Sequence, residues 1–148
     1  MLPVSTLMSD KKCFEVKLFV DGCSRGNPGK AGAGCVTKDM HGNILAEGKK
    51  YLGNYLTNNQ AEYKALIFGL DKCAGICRGK IHVLSDSELL VKHLTRVYRI
   101  RDEKLKVLFT EVKAKEAFFE KVDYTHIRRE ENKRADELAN KSIDEFKK

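Results

Sequence analysis

A chain of 148 residues, 42% hydrophobic and 33% charged, has enough apolar material for one domain with its own core, which excludes a disordered or fibrous protein. Its net charge of +7 points to an anionic partner, nucleic acid first, although a surplus of that size also serves solubility alone. The five cysteines are odd in number and form no paired CxxC, and no run is apolar enough to span a membrane. A disulfide framework and a structural zinc site are therefore not indicated, and a reduced, cytoplasmic protein without a membrane partner is expected.

The first twelve residues, MLPVSTLMSDKK, lack the basic start and apolar core of a signal peptide. They read as a flexible N-terminal tail, or as a linker if the chain is a piece of something larger, with residues 13–148 as the domain. The pattern CFEVKLFVDG then alternates, Phe14, Val16, Leu18 and Val20 against Glu15, Lys17, Phe19 and Asp21, and predicts a strand ending at Asp21-Gly22. Asn27-Pro28-Gly29 follows, with proline and glycine where a type II turn wants them. Short strands over 34–37 and 44–51, turning at His41-Gly42-Asn43, complete an antiparallel meander.

Thr57 and Gln60 match a capping box that opens a helix to about residue 77, broken by Arg78-Gly79-Lys80. IHVLSDS reads as a strand buried on both faces and ending at Ser85-Asp86. Helices over 87–95 and 101–119, a strand VDYTHI, and a last helix NKRADELANKSIDEF follow; in the last, Ala135, Leu138, Ala139, Ile143 and Phe146 face inward. The order βββ-α-β-α-α-β-α implies an α/β fold around a mixed sheet.

Four acids sit in places that ordinary solvation does not explain as a set. Glu62 falls on the apolar stripe of its helix with Leu66, Gly69 and Leu70; Asp21 and Asp86 close predicted strands; Asp136 lies near the start of the last helix. Singly, each has a structural reading: Asp21-Gly22 as a turn, Asp136 and Glu62 as acids near a helix N-terminus. Converging on one spot, four carboxylates would repel one another unless a cation sat among them, and hard oxygen ligands select Mg²⁺ or Mn²⁺.

Four segments in order, FVDGCSRGNPGKAGAG, TNNQAEYKALIFGL, VLSDSELLVKHL and HIRREENKRADELAN, together resemble the motifs of type 1 ribonuclease H over residues 16–143. The resemblance implies a ribonuclease H-like α/β fold, a five-stranded mixed sheet flanked by helices. It implies an endoribonuclease that cleaves the RNA strand of an RNA–DNA hybrid with two Mg²⁺ ions (Mn²⁺ as a substitute), leaving 5′-phosphate and 3′-hydroxyl ends. Carried over by position, Asp21, Glu62, Asp86 and Asp136 are the metal-binding acids. Asn27, Asn58, Asn59 and Gln60 are minor-groove contacts, Thr57 holds a DNA-strand phosphate, and Gly22 lets backbone approach the RNA strand. Thr57 and Gln60 keep their capping role beside this one.

The chain departs from the family pattern in two places. Arg129 stands where bacterial members carry a loop histidine that helps product leave; an arginine does not titrate, which excludes proton shuttling and leaves an electrostatic role. The tryptophan-bearing basic insertion is missing, so hybrid grip is expected to be weak or to need an accessory nucleic-acid-binding domain; a monomer is expected otherwise. Readings from other classes are a nuclease that also cuts double-stranded RNA, whose A-form geometry is shared, and an inert ribonuclease H-like module that binds nucleic acid.

Overall fold

The computed structural model describes residues 14–146, so the predicted N-terminal tail lies outside the described residues. Strand β1 (Glu15–Gly26) is followed by β2 (Gly29–Lys38), β3 (Ile44–Leu56), helix α1 (Asn58–Ala74), β4 (Lys80–Ser85), α2 (Glu88–Leu94), α3 (Glu103–Glu116), β5 (Lys121–His126), a 3₁₀ turn (Arg129–Glu131) and α4 (Lys133–Asp144). The five strands form one sheet in the order β3-β2-β1-β4-β5. β1–β2 and β2–β3 run antiparallel, β1–β4 and β4–β5 parallel, which is the expected mixed sheet. No helix among the described residues is long and apolar enough to cross a membrane.

The alternation read in β1 builds the core directly. Val16, Leu18 and Val20 are fully buried, and they meet Leu66 and Leu70 of α1 and Ile81 and Val83 of β4 in one apolar cluster. α1 lies across β1 and β2 on this side, with α3 packed on α1, while α4 covers β1, β2 and β3 from the other side. Double coverage therefore falls on β2, where Ala31 to Thr37 are all buried, and not on β4, whose His82 and Leu84 stay partly exposed. An added Cβ at Gly34 would lie 2.1 Å from the Ala135 carbonyl oxygen, so the bare backbone lets α4 sit directly on the sheet.

The strands run further than expected, because the β1–β2 pairing continues to Gly26 opposite Gly29. The connection is not the expected type II turn. Gly26 carries the positive φ (103°), the Asn27–Pro28 peptide is cis, and Gly29 is already in β2. A cis-proline at the third turn position defines a different turn class. Helix α4 ends at Asp144, so Phe146 is not an inward helical residue; it is 37% exposed and stacks on Tyr51.

On the partly exposed side of the parallel strands, His82 bridges two carboxylates. Its Nδ1 lies 2.9 Å from Asp123 Oδ1, and its Nε2 is hydrogen-bonded to Glu15. The Glu15 bond first, then Asp123, raises the imidazole pKa above its ordinary 6.5. A raised folded value means full stabilisation below the unfolded pKa and progressive loss as pH climbs through the folded one. Relative to His82→Gln, the wild-type urea midpoint should be higher near pH 5.5 and lose that advantage toward pH 8.5. An advantage independent of pH would refute the ion-pair assignment.

Candidate active site

The acids are delivered by the parallel half of the sheet. β1 and β4 stay in register up to Val20 opposite Ser85, and Asp21 and Asp86 are the next residues on each. Asp21 is thus not at a strand end, since β1 runs on with β2; it stands where β1 parts from β4. The crevice outside such carboxyl ends is the usual ligand position in open α/β sheets. Glu62 reaches the same place from the second turn of α1, after the capping box that fixes where the helix starts: Thr57 Oγ1 accepts from the Gln60 amide at 3.1 Å, and Gln60 Oε1 from the Thr57 amide at 2.8 Å.

One carboxylate oxygen each from Asp21, Glu62 and Asp86 lie within 4.8 Å of one another. Asp136, on the first turn of α4, is within hydrogen-bonding reach of Asp21. Burial first, then the charges of Glu62 and Asp86, push the Asp21 carboxyl up to about 10. Glu62 is pushed up to about 8, chiefly by burial; the Gly22 amide and the charge of Arg129 act in the opposite direction. The Gly22 amide donates to Glu62 Oε1 at 2.9 Å. In this structure, then, Glu62 is answered by one backbone N–H and one nearby guanidinium.

A set of hard oxygen donors in which the Asp21 and Glu62 carboxyls are raised for want of positive charge suits a divalent cation. These are the residues that could hold one: Asp21, Glu62 and Asp86, with Asp136 beside them.

Asn27, Thr57, Asn58, Asn59 and Gln60 gather where the hairpin tip meets the start of α1. Asn27, at the hairpin tip, accepts from the Asn58 amide through Oδ1 at 3.0 Å, and Asn58 Oδ1 accepts from the Ser24 amide at 3.2 Å. These bonds tie the hairpin to the start of α1. Asn27, Thr57, Asn59 and Gln60 line one depression of about 560 Å³, whose far wall is the start of α3.

Two positions that matter to the geometry were missed. Asn132 Nδ2 donates to the Val20 carbonyl at 2.9 Å, pinning the entry of α4 beside Asp21, while its buried Oδ1 has no partner among the described residues. Asn140 Nδ2 donates to Asp136 Oδ1 at 3.3 Å from one turn along α4. The i, i+4 spacing of Asp136 and Asn140 was the only signal available for the second; the first spans 112 positions and left none.

Residues 19–142 match the family model described as reverse transcriptase-like. Ribonuclease HI of Halobacterium salinarum is 41% identical over 144 residues, covering 96% of this chain and 71% of the relative. The structure of RNase H1 from that archaeon overlays with a TM-score of 0.86 at 38% identity, covering 89% of this chain and 99% of the other. The bifunctional protein Rv2228c of Mycobacterium tuberculosis is 39% identical over 133 residues, 88% of this chain, which spans only 36% of that relative's length. LC11-RNase H1, isolated from compost and solved in complex with an RNA/DNA hybrid, overlays with a TM-score of 0.82 at 37% identity, covering 87% and 96% of the two chains.

Proposed function

Because the chain belongs to the ribonuclease H family of reverse transcriptase-like domains, we propose that it cleaves the RNA strand of RNA–DNA hybrids by divalent-metal-dependent hydrolysis. The observation that carries this reading is the meeting of Asp21, Glu62 and Asp86 within 4.8 Å at the edge of the sheet. Mg²⁺, with Mn²⁺ as a substitute, would activate water and neutralise charge at the scissile phosphate, giving 5′-phosphate and 3′-hydroxyl ends.

Asp21, Glu62, Asp86 and Asp136 would hold the ions. Glu62 is oriented for that by the Gly22 amide, and Asp136 by Asn140. Arg129 supplies a fixed positive charge felt at Glu62; its role in this reading is to hold or release the anionic product. Asn27, Asn59 and Gln60, which line one depression, and Asn58, bonded to Asn27, would meet 2′-hydroxyls and base edges in the minor groove, with Thr57 at a phosphate of the DNA strand. The protein would act as a cytoplasmic monomer.

The test is a panel of end-labelled RNA–DNA, RNA–RNA and DNA–DNA duplexes of one sequence, incubated with Mg²⁺. The hybrid should be cut in its RNA strand, and a DNA duplex with a few consecutive ribonucleotides should be cut among them. All-DNA should resist. Equal cleavage of DNA–DNA would refute 2′-hydroxyl reading, and an intact hybrid would refute the activity.

A further inference from the structure

Arg25 stands next to the end of β1, on the hairpin whose tip carries Asn27, and its guanidinium reaches across to α4. Nη2 donates to the Asn140 carbonyl and to Asn140 Oδ1, each at 3.2 Å, and Nη1 pairs with Asp144 Oδ1 at 2.7 Å. Asn140 passes the contact on: its Nδ2 donates to the Asp136 carbonyl at 3.1 Å and to Asp136 Oδ1 at 3.3 Å. Asp136, Asn140 and Asp144 follow one another at i, i+4 spacing, so they stand in one row along the helix, and the arginine grips the last two.

The chemistry of the groups gives this row a direction. A guanidinium has donors only and a carboxylate acceptors only, whereas an amide side chain has one end of each kind. With Arg25 on one side, Asn140 turns Oδ1 to it, and Nδ2 is left facing Asp136. Without Arg25, the half-buried asparagine is free to rotate toward water, and Asp136 loses the N–H that fixes its carboxylate. Stability is a poor explanation for the arrangement: the Arg25 and Asp144 side chains are 45% and 62% exposed, where an ion pair contributes little. The same hairpin is also bonded, through Ser24 and Asn27, to Asn58 at the start of α1. It is therefore anchored to both helices that deliver acids, α1 with Glu62 and α4 with Asp136.

We propose that Arg25 is a positioning residue for the metal site: through Asn140 it holds the Asp136 carboxylate in the orientation that receives a divalent cation. The inference rests on the reading of the four acids as metal ligands. Ligating carboxylates are themselves held by outer hydrogen bonds, and loss of such a partner weakens metal binding or activity by about ten- to a hundredfold.

Two quantities decide it, measured on wild type, Arg25→Leu, Asn140→Ala and the double variant. One is the Mg²⁺ concentration at half-maximal hybrid cleavage; the other is the Mg²⁺ concentration at half the metal-induced rise in melting temperature, with no nucleic acid present. Arg25→Leu and Asn140→Ala should each raise both midpoints by about five- to tenfold, with KM for the hybrid unchanged at saturating Mg²⁺. The double variant should be no worse than Asn140→Ala alone, since one residue acts through the other. Arg25→Lys, which keeps a donor for Oδ1, should recover part of the loss. Asp144→Asn, which removes only the ion pair, should leave both midpoints near wild type. Unchanged midpoints in Arg25→Leu, effects that add in the double variant, or an Asp144→Asn shift equal to that of Arg25→Leu would each overturn the proposal. So would a raised KM with unchanged midpoints, the mark of an arginine that touches substrate. Failure of wild type to cut any hybrid would remove the activity itself, while the melting midpoints would still decide the role of Arg25.

Discussion

Asp21→Asn should reduce cleavage of an RNA–DNA hybrid by about a thousandfold or more while the protein stays folded. Asp21 is 4% exposed and faces three other acids, so its charge is unfavourable in the bare protein and required in the loaded one. The two consequences can be separated. Without divalent metal, a carboxyl raised to about 10 must take up a proton for the chain to fold at any pH between its unfolded value of 3.8 and that level. Stability therefore falls as pH rises through this window. The asparagine removes that demand, and the variant should be more stable than wild type near neutral pH, the gap widening from about pH 5 to pH 8. Added Mg²⁺ should stabilise wild type and do little for the variant. Thermal melts with chelator and with Mg²⁺, beside a cleavage assay, check all three statements. Substantial residual hydrolysis, or equal response to metal, would sink the role given to Asp21.

Gly22→Ala should be a severely damaging single methyl group next to the site. Its Cβ would stand 2.1 Å from the Ala61 carbonyl oxygen and 2.8 Å from the Glu62 amide nitrogen, both backbone atoms that cannot rotate away. α1 would have to lift off β1, breaking the Gly22–Glu62 hydrogen bond and opening the apolar cluster that holds Leu66 and Val20. Overpacking costs about 1–3 kcal/mol where side chains can yield and more where they cannot, so a loss of about 3 kcal/mol and about 10 °C in melting temperature is expected. Activity should fall with it, because Glu62 moves. Gly75→Ala is the matched control at the far end of the same helix: its Cβ meets nothing closer than 3.5 Å, and it should be nearly neutral. Equal effects of the two substitutions would show that close approach is not what Gly22 provides.

The absence of a side chain at position 22 is thus already required by α1, whatever the RNA strand does there. Thr57 and Gln60 carry a similar double reading: their capping box is fully formed, which is compatible with, and separate from, contact to a substrate.

The sequence by itself determined the elements and their order. Val16, Leu18 and Val20 announce a strand because period 2 is a property of neighbouring residues, and Thr57 with Gln60 announces a helix start because the cap is closed within four positions. It also marked Glu62 as misplaced on an apolar stripe, since the helical period puts it in line with Leu66 and Leu70. Everything that depends on a second element pressing on the first was out of reach. That β2 and not β4 is covered on both faces follows from α4 crossing to the other side of the sheet, a choice made by residues more than 90 positions away in the chain. The hairpin runs to Gly26 because β2 pairs that far, although the local sequence reads equally well as an earlier turn. Four acids spread from position 21 to position 136 could be picked out one by one. Their mutual repulsion, the raised carboxyls at Asp21 and Glu62, and the guanidinium of Arg129 near Glu62 come from distances alone, and only the tertiary structure sets distances between groups that no local period connects.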